Sequence, residues 1–214
     1  FQEFGRKISE MLFVLLNQRN TALLALKAGQ IDSMELRAEQ WKTQTEGDDF
    51  YKRNTKVSAV EWTEFHFVWN CKSAFFSDPR VRRAMSYAFD YDEFLNKIAY
   101  GLYQPCQGMN HPTSWAFPKN GPQPYKQDLD KAEDLLEQAG WTDSDGDGIR
   151  DKEINGRRVK FEFTLLTFQT ETGTQTATLM KECLGKIGVV CNVKPTEFTV
   201  LMDSEQHHKF DAAM

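Results

Sequence analysis

No apolar run in this sequence approaches the roughly 18 residues that cross a bilayer as a helix. The longest candidate, Met11–Leu16, has the length of a strand. An initiator Met and a basic, apolar leader are missing, so Phe1 reads as a start in mid-protein and the chain as an excised piece. Positive charge is in deficit: 26 basic side chains face 31 acidic ones, and the net charge of -5 argues against nucleic acid as main partner. Gly-x-Ser-x-Gly, His-Glu-x-x-His, the phosphate-binding loop and the dinucleotide glycine motif are all absent. Carboxylate pairs carry no weight in a chain with 31 acidic residues, so an enzyme is not expected. The cysteines Cys71, Cys106, Cys183 and Cys191 include no Cys-x-x-Cys pair, which removes the usual zinc signature. Two disulfides in an exported protein and small buried thiols both fit them.

What is present is a globular composition: 40% hydrophobic and 27% charged side chains exclude a disordered chain. Leu12–Leu16 predicts a strand, Thr21–Ala28 a helix ended by Gly29, Ile31–Leu36 a short strand, and Glu39–Thr45 another helix. Lys56–Asn70 predicts two extended segments, with Phe65, Phe67 and Trp69 on one face. Asp78-Pro79 opens a helix as N-cap and first-turn proline, and Val81, Ala84, Met85 and Ala88 mark its buried side. Asp90 with Glu93 opens the next, which Gly101 ends. Pro105, Pro112, Pro118, Pro122 and Pro124 make residues 102–127 a long irregular connection. Asp128 caps a helix with Ala132, Leu135, Leu136 and Ala139 inside. Val159–Phe168 then predicts a strand, Thr172–Ile187 a helix, Val189–Val193 a strand, Glu197–Gln206 a helix, and Phe210–Met214 the start of a strand. This alternation predicts an α/β fold (α+β mixed), with a mixed sheet flanked by helices.

Several of these segments, taken in order, resemble the family 5 extracellular solute-binding proteins. Thr21–Asp32 is similar to that family's helix ending in Ala-Leu-x-x-Gly-Glu-Ile-Asp. Asn70 followed by Phe75–Phe89 (Phe-Phe-Ser-Asp-Pro-Arg-Val-Arg-Arg-Ala-Met-Ser-Tyr-Ala-Phe) is the most specific match, although Ala74 stands where the family often has proline. Asp90–Ala99, Pro112–Trp115, Tyr125–Gly140 and Gly188–Val193 continue it. The resemblance implies a periplasmic-binding-protein-like lobe, with residues 1–60 closing a first lobe and 61–214 forming part of a second. It further implies the capture component of an ABC importer, which takes peptides or similar small solutes between two lobes and delivers them to a membrane permease. Such a protein works as a periplasmic or extracellular monomer, lipid-anchored or free. The rivals are a sensory or regulatory protein that reuses the lobe and a calcium-stabilised structural module.

Trp115, Trp69 and Trp62 are candidate ligand contacts, because indoles combine apolar area with a polar handle. Packing in the core or on the lobe surface competes for each of them. Asn70 would either reach the ligand or moor the loop after it. Asp143-Ser144-Asp145-Gly146-Asp147-Gly148-Ile149-Arg150-Asp151 matches the opening of a calcium loop: Asp143, Asp145 and Asp147 alternate, Ile149 offers a carbonyl, and Asp151 sits at the ninth position. Ile154 stands where the bidentate Glu belongs, and an acidic turn before a strand explains the same residues. Calcium is thus the one candidate ion, and no cofactor is required. The pair His207-His208 points about 100° apart on a helix and does not chelate one ion.

Overall fold

The computed structural model describes residues 8–214 other than Trp62, Gln107, Pro112, Lys119 and Pro122. It divides into two compact units, residues 1–58 and 59–214.

In the first unit, α1 (Arg19–Lys27) buries Leu23 and Leu26, which pack with Phe50 from the short α2 (Asp48–Tyr51). Gly29, at φ 71°, takes the left-handed turn that ends α1, and Gln30 N–H reaches back to the Ala25 carbonyl at 2.9 Å. Gln40–Gln44 forms a π-helical turn, and the buried Gln40 amide donates to Asn20 and to the Arg19 carbonyl. Two sequence expectations fail in this unit. Leu12–Leu16 and Ile31–Leu36 form no strands. Neither has a partner strand among the described residues, and apolar sequence without a partner leaves backbone N–H and C=O groups to water.

The second unit is built on a four-stranded mixed sheet of order β1-β6-β4-β5, where β1 is Val68–Trp69, β4 Glu162–Phe168, β5 Val190–Thr196 and β6 Ala212–Ala213. β4 pairs parallel with both β5 and β6, while β1 runs antiparallel to β6, with Trp69 opposite Ala212. A separate hairpin joins β2 (Asp151–Ile154) to β3 (Arg157–Lys160). Phe161 interrupts the single strand expected over Val159–Phe168: β3 pairs with β2, whereas β4 belongs to the main sheet.

Alternation along β4 sorts the two faces. Phe163 and Leu165 enter the main core, while Leu166 and Phe168 enter a smaller cluster on the other side. Against the main face pack α3 (Pro79–Ala88), α5 (Leu129–Gln138) and α6 (Glu171–Gly185), whose Met85, Leu136, Met180 and Leu184 are fully buried. Aromatic rings fill the centre, with Trp141 4.4 Å and Phe75 5.4 Å from Phe161. α7 (Phe198–Gln206) lies on the other face through the buried Leu201.

The helix starts follow the sequence. Oδ1 of Asp78, Asp90 and Asp128 accepts from the backbone N–H of Arg80, Glu93 and Lys131 at 2.8, 2.8 and 3.0 Å. The helix opened by Asp90 comprises α4 (Tyr91–Glu93) and a wider π-helical turn, Phe94–Ile98. Residues 102–127 carry no described helix or strand, as the prolines require. All four cysteines are free thiols: Cys183 and Cys191 are buried in the core, Cys71 and Cys106 exposed. Burial pushes the Cys191 thiol up to about 12.

Candidate functional site

The residues expected at a ligand fall in different settings. Asn70 is buried at the end of β1, and its side chain is committed to the backbone. Nδ2 donates to the Phe210 carbonyl at 2.7 Å and the His208 carbonyl at 3.2 Å, while Oδ1 accepts from Lys72 N–H at 3.0 Å. This amide ties the turn after β1 to the segment that enters β6, about 140 residues later, which is the mooring alternative. Trp69 is half-buried against the core, its ring 4.8 Å from Phe76 and 6.3 Å from Phe163. Trp115 is the opposite case at 99% exposed, so its whole ring is available to a partner. Trp62 lies outside the described residues, as do Pro112 and Pro122 of the connection.

The acidic loop closes on itself. Both oxygens of Asp143 accept backbone N–H groups, from Gly146 at 2.8 Å and Gly148 at 2.9 Å. Gly146 and Gly148 have φ of 76° and 85°, which a side chain would strain. Asp151 accepts from the Ser144 hydroxyl at 2.7 Å and the Ser144 N–H at 3.0 Å, and the hydroxyl chiefly holds its carboxyl below the usual range. Asp143, Asp145 and Asp151 each place an oxygen within 4.8 Å of the others. Asp147 does not join them: its carboxylate is engaged by the Lys160 ammonium, which holds its pKa down, and by Ile149 N–H. Arg158 stands 3.4 Å from Asp145 and 3.6 Å from Asp151. The loop therefore gathers three of the expected carboxylates round one point, with β3 supplying counter-charge.

Below this loop Arg150 is buried, and its guanidinium donates to the Ile187 and Trp141 carbonyls, both at 2.9 Å. It fixes the loop to the ends of α5 and α6. Gly188 permits that approach, since a Cβ there would meet the Gly148 carbonyl oxygen at 3.1 Å and Arg150 Cγ at 3.2 Å.

A feature that no single sequence motif announces lies at the carboxyl ends of β4 and β5. The strands are adjacent and parallel, yet β4 leads to α6 on one face and β5 to α7 on the other. Connections that part in this way leave a crevice where ligands bind in open α/β sheets. Both helices begin there, capped by Thr170 and Glu197, and Phe168 stacks on Phe198 at 5.8 Å. The buried Thr167 hydroxyl has no hydrogen-bond partner among the described residues. The order of strands in space was needed to see this, and sequence order does not contain it.

The mixed sheet flanked by helices is the architecture of the solute-binding proteins that the chain resembles. Residues 5–214 match the profile of the bacterial extracellular solute-binding proteins, family 5 (middle), and the chain is a member of that family. The oligopeptide-binding protein AppA of Bacillus subtilis is 29% identical over 207 residues, covering 95% of this chain and 36% of AppA. The structure of AppA in complex with a nonapeptide superposes with a TM-score of 0.77 at 30% identity, over 91% of this chain and 38% of that one. NikZ of Campylobacter jejuni in complex with Ni(L-His) gives 0.69 at 26% identity, over 91% and 36%. The chain thus spans little more than a third of the length of these relatives. Among the described residues no helix is long and apolar enough to cross a membrane.

Proposed function

We propose that this chain forms one jaw of the capture component of an ABC importer, which closes on a peptide or similar small solute and presents it to a membrane permease. The observation that supports this most is the match to AppA, a protein whose structure holds a nonapeptide. Closure round a ligand needs differential affinity between open and closed states and no reacting group. The protein then works outside the cytoplasmic membrane as a monomer, lipid-anchored or free. On this jaw the crevice at the ends of β4 and β5 and the exposed Trp115 are the surfaces offered to solute. Calorimetric titration with oligopeptides tests the reading in a protein of the relatives' full length. Saturable binding is expected, and Trp115→Ala should weaken it by about 1–2 kcal/mol, as loss of a stacking aromatic contact does. No response to any peptide, sugar or metal chelate would overturn it.

A second reading is favoured by the approach of Asp143, Asp145 and Asp151. These carboxylates suit a hard cation such as calcium, which would displace Arg158 and brace the loop. Calcium should then raise the melting temperature, an effect lost on chelation and in Asp145→Asn. A melting curve indifferent to calcium would leave the loop as an ion-paired acidic turn.

A further inference from the structure

The face of the main sheet that carries α7 has a hollow short of the crevice, toward the amino ends of β4 and β6. Thr164 and Leu166 leave β4 on this face, and Lys194, in register with Leu166, leaves β5 beside them. Lys209, Phe210 and Asp211, on the way from α7 to β6, close it from the other side. These six residues bound a cavity of about 370 Å³, a size that takes a small molecule. Its polar groups are unevenly matched. Both oxygens of Asp211 already accept, Oδ1 from the Ser73 hydroxyl at 3.2 Å and Oδ2 from the Thr164 N–H at 3.3 Å. Among the described residues neither ammonium, of Lys194 or of Lys209, makes an ion pair or hydrogen bond, and the Thr164 hydroxyl has no partner either. Three donors from three separate segments therefore converge where no acceptor of the chain meets them. The two ammonium groups also repel each other, which an anion between them would turn into attraction. Leu166, 7% exposed, and the half-buried Phe210 add an apolar wall.

We propose that this hollow binds a small organic carboxylate, at a site separate from the crevice offered to the captured solute. The lining carries one net positive charge, two lysines against one aspartate, which fits a monoanion. The carboxylate oxygens accept from Lys194, Lys209 and the Thr164 hydroxyl, and the apolar part of the acid rests on Leu166 and Phe210. No spacing motif marks the site, because β4, β5 and the segment before β6 each bring one donor to it.

Benzoate is the probe, titrated into the ¹⁵N-labelled 214-residue chain at low ionic strength and followed by the amide resonances of its nuclear magnetic resonance spectrum. Saturable shifts are expected at Thr164, Lys194, Phe210 and Asp211, and added salt should weaken them. Benzamide, of the same shape without the charge, should produce none. Lys194→Gln and Lys209→Gln should each weaken binding about fivefold, the upper end for one exposed ion pair. Lys97→Gln, which removes a lysine paired with Glu93 elsewhere on the surface, should leave the affinity unchanged. Both cavity lysines are exposed, so melting temperatures of their variants should match the parent. Excess oligopeptide should leave the benzoate titration as it was; displacement would assign the hollow to solute capture and overturn a separate site. Absence of saturable shifts in the parent, equal shifts with benzamide, unchanged affinity in both Lys194→Gln and Lys209→Gln, or an equal loss in Lys97→Gln would each overturn the proposal too.

Discussion

Leu12–Leu16 and Glu162–Phe168 are both apolar stretches of strand length, and they end in opposite states. Leu12, Phe13 and Leu15 are 82%, 81% and 94% exposed, whereas Phe163 and Leu165 are 2% and 0% exposed. β4 has a parallel strand on each side and a helix packed on each face; the earlier stretch has none of these among the described residues. Composition makes a strand permissible, and neighbours make it form.

The comparison predicts sharply different mutational costs, measurable by urea denaturation. Leu165→Ala should cost about 2–5 kcal/mol, because it opens a cavity in the main core, where Leu165 is fully buried. If it costs less than Leu15→Ala, the contrast fails. Asn70→Ala should cost about 1–3 kcal/mol by leaving the Phe210 and His208 carbonyls unpaired. Its signature should be faster hydrogen exchange at the β1–β6 pairing rather than at β4–β5. Acid should act next. Asp78, Asp147, Asp151 and Glu197 all have pKa values lowered in the fold, by Arg80, Lys160, Ser144 and Thr199 respectively. A depressed folded pKa gives stability that is complete above the unfolded value and lost as pH falls through the folded one. Stability should therefore decline below about pH 4, and Asp151→Asn should flatten that decline. Leu15→Ala should do least, staying within about 0.5 kcal/mol of the parent.

Local chemistry was legible. Asp78, Asp90 and Asp128 cap where their spacing places them, and Gly29, Gly101, Gly140 and Gly188 all adopt positive φ at element ends. α3, α5, α6 and α7, together with β4 and β5, lie within a few residues of their expected bounds. Pairing at long range was not legible. Nothing in Val68–Trp69 says that its partner is Ala212–Ala213, and the break at Phe161 depends on which sheet each neighbour joins. The same limit applies to the sites. The acidic loop could be read as a unit because its ligands are consecutive, but Asp147 left the group for Lys160, which the following hairpin brings back beside it. Asn70 could be read from sequence as a ligand contact or as an anchor, and only the fold identifies the carbonyls it holds. The crevice beside β4 requires segments that sequence order keeps apart.

β5 is the outer strand of the sheet on its side, and its last residues are Lys194, Pro195 and Thr196. Val190 N–H bonds inward to the Phe161 carbonyl, so by alternation position 195 turns its nitrogen outward. There a proline has no hydrogen to offer, and a lysine adds charge beside it. A foreign strand sliding along this border would lose a rung and meet an ammonium group at the same place, which keeps crowded copies from knitting together.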